Sequence, residues 1–311
     1  MEKRALGRTG LSIAPIVFGG NVFGWTADEK TSFQLLDAFF DAGFNTIDTA
    51  DVYSAWVPGH EGGESETIIG KWLKTGSVAR DKAIIVSKVG YDKGLKPQWI
   101  EQAVEASLRR LQTDYIDLYL AHKPDAETPI EDTLAAFTKL KERGKVRAIG
   151  CSNYDAPELQ AALDVSAQTG LARFDVVQPE YNLYTRERFE GPLADLSLKE
   201  DIGVINYYSL AAGFLTGKYR SKADTEGVAR SYRVGDYVNA RGLEILGAMD
   251  TIAAQTGAKL ADIALAWLLR KQAVTAPIAS ATSLSQLESF RRATELKLTD
   301  DMVARLDKAG A

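Results

Sequence analysis

Eight short apolar segments recur along the chain, and each of them ends in polar or small residues. Most contain β-branched residues and lack a clean alternation of apolar and polar positions, which is typical of strands buried on both faces. The segments are 14–19, 44–48, 83–88, 115–122, 146–153, 174–178, 203–209 and 275–280.

Helical patterns separate these segments. Phe33, Leu36 and Phe40 form one apolar face, and Gly43 occupies the position of a glycine that ends a helix. The other apolar faces are Ile100–Val104–Leu108–Leu111, Ile130–Leu134–Phe137–Leu140 before Gly144, Leu159–Leu163, and Leu260–Ala264–Trp267–Leu268. Strands that alternate regularly with helices predict the α/β class and a (β/α)8 TIM barrel.

The chain length and the connections agree with this fold. All 311 residues, 1–311, fit one barrel domain, and segment 4–13 predicts a short β-hairpin ahead of it that turns at Thr9-Gly10. An open doubly wound sheet is the alternative, but no G-x-G-x-x-G follows the first strand and no P-loop signature occurs. The long stretch 204–275 predicts an insertion after strand seven, at the rim where barrels commonly bind a phosphate.

Composition restricts the classes of partner. Lys and Arg total 37 against 42 Asp and Glu, a formal net charge of −5, which argues against nucleic acid or an anionic membrane as a partner. The longest strongly apolar run, 263–269, is too short to span a bilayer. Cys151 is the one cysteine, so no internal disulfide can form. We therefore expect a cytoplasmic protein whose partner is a small molecule.

Titratable side chains lie at the ends of three neighbouring predicted strands. Asp48 ends the second strand with Tyr53 just beyond it, Lys88 ends the third strand, and His122 ends the fourth. Functional side chains of barrels lie at the carboxyl ends of the strands, so these four groups are expected at one rim.

The chemistry of the four groups is complementary. A buried lysine needs a partner, and Asp48 can pair with Lys88. The Lys88 ammonium is expected to lower the pKa of the Tyr53 phenol, which would then serve as a general acid. His122 can donate a hydrogen bond to the same substrate oxygen. A proton donor aimed at a carbonyl oxygen calls for hydride at the carbon, which only a nicotinamide or flavin cofactor supplies.

Residues at the other strand ends are candidates for holding that cofactor. Ser152, Asn153 and Gln178 offer hydrogen bonds to a carboxamide, and Tyr208 offers a ring for stacking. Loop 209–219 offers small residues, backbone amides and a cation for a pyrophosphate. The further candidates are Asp48, Gly20 and Asn21 after the first strands, and Ser209, Leu210, Gly213, Leu215 and Lys218 in this loop.

The sequence resembles the aldo-keto reductase family over nearly its whole length. The matching stretches are LGRTGLSIAPIVFGG, FNTIDTADVY, AIIVSK, YIDLYLAH, GCSN, VVQPEYNL, YYSLAAGFLTGKY and SQLES, in this order. The resemblance implies a catalytic tetrad of Asp48, Tyr53, Lys88 and His122, with Tyr53 as proton donor. It also implies a nicotinamide cofactor that lies across the barrel mouth without a Rossmann fold.

The stretch after the eighth strand departs from the family pattern. Members that favour the phosphorylated cofactor often carry Lys or Arg there, whereas this chain has Ser280, Thr282 and Gln286. Cations follow only at Arg291 and Arg292. Hydroxyl groups bind a phosphate without charge assistance. The resemblance favours NADPH, and NADH remains the alternative.

Alternative functions follow from the same residues. Lys88 on a barrel strand is compatible with a Schiff-base aldolase, although Asp48 would keep this lysine charged. Relatives in the superfamily also serve as non-catalytic, cofactor-binding regulatory subunits of channels. A metal site is not expected, because His60, His122 and Cys151 lack the spacing of metal ligands. Trp25, Trp56 and Tyr91 follow the first three strands, and they either line the substrate pocket or pack within their loops.

Overall fold

An eight-stranded parallel sheet lies at the centre of the molecule. The structure is a computed structural model that describes residues 1–228 and 230–310. Within these residues the strands are β1 (Arg4–Ala5), β2 (Ser12–Ile13), β3 (Val17–Gly19), β4 (Thr46–Asp48), β5 (Ile84–Val89), β6 (Ile116–Ala121), β7 (Val146–Ser152), β8 (Val176–Gln178), β9 (Gly203–Val204) and β10 (Ile278–Ala279).

The sheet closes into a barrel. Strands pair in the order β10-β3-β4-β5-β6-β7-β8-β9, and each recorded pair in this sheet is parallel. At the two ends of this order the backbone N–H of Ile278 donates to the carbonyl of Asn206 (2.8 Å), and that of Thr275 donates to Val204 (2.9 Å). The predicted (β/α)8 barrel is therefore confirmed.

Helices follow the strands and cover the outside of the barrel. They are α1 (Glu29–Asp41), α2 (Glu64–Thr75), α3 (Pro97–Leu111), α4 (Ile130–Glu142), α5 (Ala156–Thr169), α6 (Pro192–Lys199), α7 (Ser231–Tyr237), α8 (Ala240–Thr256), α9 (Leu260–Leu269), α10 (Leu284–Glu295) and α11 (Asp300–Ala309). Short 3-10 turns occupy Gly20–Val22, Arg80–Lys82, Ala211–Thr216 and Lys222–Thr225. Taken singly, no helix of the described chain has both the length and the apolar composition to cross a bilayer, although α8 and α9 together, across a 98° bend, meet those two criteria.

Local sequence explains where these helices begin and end. At α5 the Asp155 carboxylate accepts the backbone N–H of Glu158, and the Glu158 side chain accepts the N–H of Asp155, which forms a capping box. Gly170 ends the helix at φ +74°, a left-handed conformation that costs glycine little.

The predicted hairpin is also confirmed. Strands β1 and β2 pair antiparallel, and the Thr9 hydroxyl donates to the Leu6 carbonyl within the turn. Leu6, Leu11 and Ile13 are buried in the same apolar cluster as the side chains that fill the barrel interior. That interior cluster also contains Val17, Ile84, Val86, Leu118, Leu120, Ala148, Val176, Ile205, Ala276 and Ile278.

The seventh strand of the barrel is shorter than segment 203–209. Strand β9 ends at Val204, and Tyr207 retains only an isolated bridge to Glu180. Tyr208 has φ +53°, a left-handed conformation that a strand does not accommodate. The expectation that Tyr208 ends this strand is therefore wrong, because the chain leaves the sheet before it.

Candidate active site

Alternation along the strands brings the candidate side chains to one end of the barrel. On β5, Ile84 and Val86 point into the barrel interior, so Lys88 extends the same inward row at the carboxyl end. By the same alternation, His122 extends the inward row of β6 and Gln178 that of β8. Polar groups from separate strands therefore converge at one barrel mouth, as the sequence predicts.

Lys88 lies at the centre of this convergence. Its Nζ donates to Asp48 Oδ2 (2.8 Å), the Thr49 carbonyl (2.9 Å) and Tyr53 Oη (2.7 Å). The Lys88 side chain is completely buried and that of Asp48 is 2% exposed. Three acceptors require three N–H donors, which an ammonium has and a neutral amine does not. The geometry thus indicates a charged lysine paired with a charged carboxylate.

The Tyr53 phenol is held in its protonated form. Its hydroxyl donates to Asp48 Oδ2 (3.0 Å), and burial together with the charge and hydrogen bond of Asp48 holds the pKa of Tyr53 well above its ordinary value. The lowered pKa expected from the Lys88 ammonium alone is therefore contradicted, because burial and Asp48 act in the opposite direction. Burial likewise lowers the pKa of Lys88, and Asp48 opposes that change.

His122 is a neutral imidazole beside the phenol. Burial, followed by the charges of Lys88 and Lys123, holds its pKa well below the ordinary value. Its ring lies 6.2 Å from that of Tyr53, centroid to centroid. Nδ1 is buried without a hydrogen-bond partner among the described residues, so Nε2 is the ring nitrogen available to a ligand in the mouth. A neutral ring protonated on Nε2 would donate to a carbonyl oxygen there.

The side chains proposed for the carboxamide form their own network. Gln178 Nε2 donates to Asp48 Oδ1 (2.8 Å), so both carboxylate oxygens of Asp48 are bonded. Ser152 Oγ donates to the Gln178 carbonyl (2.9 Å), and Asn153 Nδ2 donates to the His122 carbonyl (2.8 Å). The Gln178 side-chain oxygen has no such bond to the described chain. This network can therefore receive a carboxamide, and it ties that position to Asp48.

Tyr207, which the sequence reasoning missed, lies in the mouth. It packs against the interior cluster, and its hydroxyl donates to Asn153 Oδ1 (2.7 Å). Tyr208 instead packs against the outer core, with its ring 5.3 Å from that of Tyr207. Side chains alternate along an extended chain, so Tyr207, two residues after the inward-facing Ile205, is also expected to face inward. Both rings border the mouth, and Tyr207 is the one that contacts a carboxamide candidate.

The loop after β9 presents backbone groups beside the mouth. Ala211, Ala212 and Gly213 have φ of 47°, 56° and 98°, and the N–H groups of Ala211 and Gly213 donate to the carbonyls of Tyr208 (2.7 Å) and Leu210 (2.9 Å). The Lys218 ammonium lies over the Tyr219 ring, 4.8 Å from its centroid. The other candidates in this loop are less accessible: Ser209 is buried and bonded to Asn206, Leu210 is partly buried, and Leu215 is buried with its N–H donating to Leu210.

The candidates after β3 and β10 lie side by side. Gly20 and Asn21 begin the turn after β3. The Asn21 side-chain N–H donates to Ser280 Oγ (2.7 Å), and its side-chain oxygen accepts from Arg230 Nη2 (3.1 Å). Thr282 donates from both its N–H and its hydroxyl to Gln286 Oε1 at the start of α10.

Arg230 is a cation in this region that the sequence reasoning missed. It lies over the Trp25 ring, 5.3 Å from the centroid, and interacts electrostatically with Tyr53 and Tyr208. Arg291 and Arg292 are bonded to Glu295 and Asp262 respectively, so they are engaged elsewhere. The insertion after β9 therefore brings a guanidinium to a stretch that otherwise offers hydroxyl and amide groups.

Known proteins resemble this chain over its full length. Residues 15–311 match the model of the aldo/keto reductase family. An uncharacterized oxidoreductase, YrpG, of Bacillus subtilis (strain 168) is 33% identical, covering 99% of this chain and 95% of its own. A probable voltage-gated potassium channel subunit beta of Oryza sativa subsp. japonica is 30% identical, covering 99% and 96%. Aldo-keto reductase AMT2 of Alternaria alternata is 31% identical, covering 98% and 90%.

Proposed function

Because the chain belongs to the aldo/keto reductase family, we propose that it reduces an aldehyde or ketone reversibly to an alcohol, using NAD(P)H and a proton from Tyr53. The observation that carries the proposal is the bonded set of Asp48, Lys88 and Tyr53 next to neutral His122 at one barrel mouth.

The residues have separate roles in this proposal. A bound nicotinamide supplies hydride to the carbonyl carbon. When substrate binds, the Tyr53 hydroxyl turns its proton from Asp48 Oδ2 to the carbonyl oxygen, which it and His122 Nε2 then orient. As negative charge develops on that oxygen, the Tyr53 proton moves to it, and the Lys88 ammonium stabilises the phenolate left behind. Asp48 holds Lys88 in place and keeps it charged.

Residues around the mouth fit a nicotinamide dinucleotide. Ser152, Asn153 and Gln178 would hold the carboxamide, and Tyr208 would stack on the ring with Tyr207 beside it. Lys218 and Arg230, which lie in the insertion after β9, would hold phosphates by charge-assisted hydrogen bonds. Arg230 supplies the charge that Ser280, Thr282 and Gln286 lack, which supports NADPH as the favoured cofactor with NADH as the alternative.

The geometry disfavours a Schiff-base aldolase. Such an enzyme needs a neutral amine with a free lone pair that can reach a carbonyl. Lys88 is fully buried and uses all three N–H donors on Asp48, Thr49 and Tyr53. Borohydride should therefore trap no substrate on Lys88.

A second candidate function is a cofactor-binding regulatory subunit. Three relatives carry the name of a probable or putative voltage-gated potassium channel subunit beta and are 30–31% identical to this chain. An intact tetrad is compatible with that role. Tight cofactor binding without turnover of any aldehyde, together with co-purification of a channel, would favour it.

The decisive test compares the wild type with Tyr53→Phe. Tryptophan fluorescence during titration with NADPH and NADH measures cofactor binding, and the absorbance change of the cofactor with a panel of aldehydes measures turnover. We expect Tyr53→Phe to bind the cofactor within about twofold of the wild type and to lose at least about 100-fold in kcat, because its general acid is absent. Unchanged turnover would refute the role of Tyr53, and failure to bind either cofactor would refute the proposed function.

A further inference from the structure

Aromatic side chains form a continuous arc around the barrel mouth. Trp25 contacts Trp56 edge to face with centroids 5.6 Å apart, and Trp56 lies 6.1 Å from Tyr53. The arc continues from Tyr53 to His122 at 6.2 Å and from His122 to Tyr91 at 4.9 Å. These five residues are here called the aromatic arc. The proton donor is its middle member.

The flanks of the aromatic arc are open to solvent. Trp56 is 48% exposed and Tyr91 is 45% exposed, whereas His122 between Tyr53 and Tyr91 is buried. Packing within the loops explains the contact of Trp25 with Trp56. It does not explain why the rings of Trp56 and Tyr91 stay half-exposed beside the buried His122. Half-exposed aromatic rings that border a pocket are typical of surfaces that bind rings of a ligand.

A cation lies at the Tyr91 end of the arc. Lys123 follows His122 directly, and its Nζ lies 4.7 Å from the centroid of the Tyr91 ring. The nearby Asp125 is not paired with it, and that carboxylate accepts instead from the backbone of Leu95 and Glu127 and from the Thr128 hydroxyl. No carboxylate of the described residues lies within 4 Å of this ammonium. Its charge, after burial and the charge of Lys88, also lowers the pKa of His122.

We propose that the substrate is a carbonyl compound bearing an aromatic ring and an anionic group, and that Lys123 binds the anion beside Tyr91. This inference rests on the proposed function, since it concerns the same mouth. With the carbonyl at Tyr53 and His122, the ring lies against the exposed flank of the arc formed by Tyr91. The anionic group then reaches the ammonium that follows His122.

Arg230 occupies the opposite end of the arc. Its guanidinium lies over Trp25 and bonds to Asn21, on the side proposed for the cofactor. Lys123 is separated from it by the whole arc, so the two cations serve different anions. The substrate anion is assigned to Lys123 because this lysine adjoins His122, which orients the carbonyl.

The test uses two aldehydes that differ in charge. 4-Carboxybenzaldehyde is anionic at neutral pH, and its methyl ester has the same ring but withdraws electrons from the carbonyl more strongly. The ratio of the two KM values is therefore compared between the wild type and Lys123→Gln, so that this electronic difference cancels. We expect the wild type to have a KM about threefold to fivefold lower for the acid, the range expected of an exposed ion pair. Lys123→Gln should remove this preference with kcat unchanged and with the KM of the ester within about twofold.

Lys93→Gln is the matched control. Lys93 also lies over an aromatic ring, with Nζ 4.2 Å from the centroid of Trp99, but it is outside the arc. This variant should keep the preference for the acid. Added salt should weaken that preference in the wild type and in Lys93→Gln alike.

The outcomes separate this inference from the proposed function. Reduction of both aldehydes with equal KM in the wild type, or an equal change for both in Lys123→Gln, would overturn the inference and leave the reductase intact. If neither aldehyde is reduced, the proposed function is decided by cofactor binding and the wider aldehyde panel, and quenching of tryptophan fluorescence by 4-carboxybenzyl alcohol and its methyl ester decides the inference. Tighter binding of the anion in the wild type but not in Lys123→Gln would support the subsite, and equal binding would refute it.

Discussion

Asp51 offers a quantitative test of the electrostatics behind the tetrad. This carboxyl follows β4, and its Oδ1 is buried without a hydrogen-bond partner among the described residues. Burial, and then the charge of Glu66, raises its pKa from 3.8 to about 7, against the opposing effects of Arg110 and Lys88. Tyr119 also faces this group, and its hydroxyl has no partner either.

The sign of the effect on stability follows from the raised pKa. The folded protein holds the Asp51 proton more tightly than the unfolded chain, so its stabilising contribution is complete below pH 4 and is lost as pH rises through about 7. Linkage with these two pKa values gives a loss of about 2.7 kcal/mol between pH 5 and pH 8. The side chain retains some solvent contact, so we expect about half of this, ~1–1.5 kcal/mol.

The substitution Asp51→Asn removes the titration while keeping the shape. Urea unfolding at pH 5, 6, 7 and 8 gives the free energy of unfolding of both proteins. The difference in free energy of unfolding between the variant and the wild type should shift by about 1–1.5 kcal/mol in favour of the variant from pH 5 to pH 8. This shift does not depend on how the stabilities of the two proteins differ at pH 5. Asp92→Asn, at an exposed carboxylate, is the control and should follow the wild type. Parallel curves for Asp51→Asn and the wild type would refute the reasoning.

Three further substitutions test packing and hydrogen bonding by urea unfolding. Gln178→Leu leaves Asp48 Oδ1 without its donor and should cost about 1.5–3 kcal/mol, because a bond to a charged group is lost; a loss below about 0.5 kcal/mol would contradict that bond. Phe137→Ala opens a cavity between Tyr119 and Phe174 and should cost about 3–5 kcal/mol, with Phe137→Leu costing less; equal costs would argue against a cavity effect. Asp155→Ala removes the cap of α5 and should cost about 1 kcal/mol, most of which Asp155→Asn should restore if capping is the cause.

The fold could be predicted because its signals are local and repeated. Apolar segments of strand length alternate with helical faces, and such a pattern has few solutions besides a closed parallel barrel. The ends of the seventh strand could not be placed in the same way. The residues of segment 203–209 resemble those of a strand, but β9 ends at Val204, and the left-handed backbone of Tyr208 keeps that residue out of the sheet.

The sequence alone could place some residues of the candidate site but not others. Lys88, His122 and Gln178 could be placed because they extend inward rows of strands at their carboxyl ends. The same alternation, counted from Ile205, places Tyr207 on the inward row as well, while the stacking role of Tyr208 stays a prediction. Arg230 could not have been found, because it lies in the long insertion and reaches Asn21 only through the tertiary fold.

The sequence by itself determined the barrel, the hairpin and the residue types that gather at the mouth, because periodic burial is encoded in neighbouring positions. The tertiary structure decided the ionisation of those residues. The Lys88 ammonium alone argues for an acidic Tyr53, but burial and the Asp48 charge raise the pKa of the phenol instead. Desolvation and the summed field of nearby charges depend on distances between separate segments, and no stretch of sequence contains those distances.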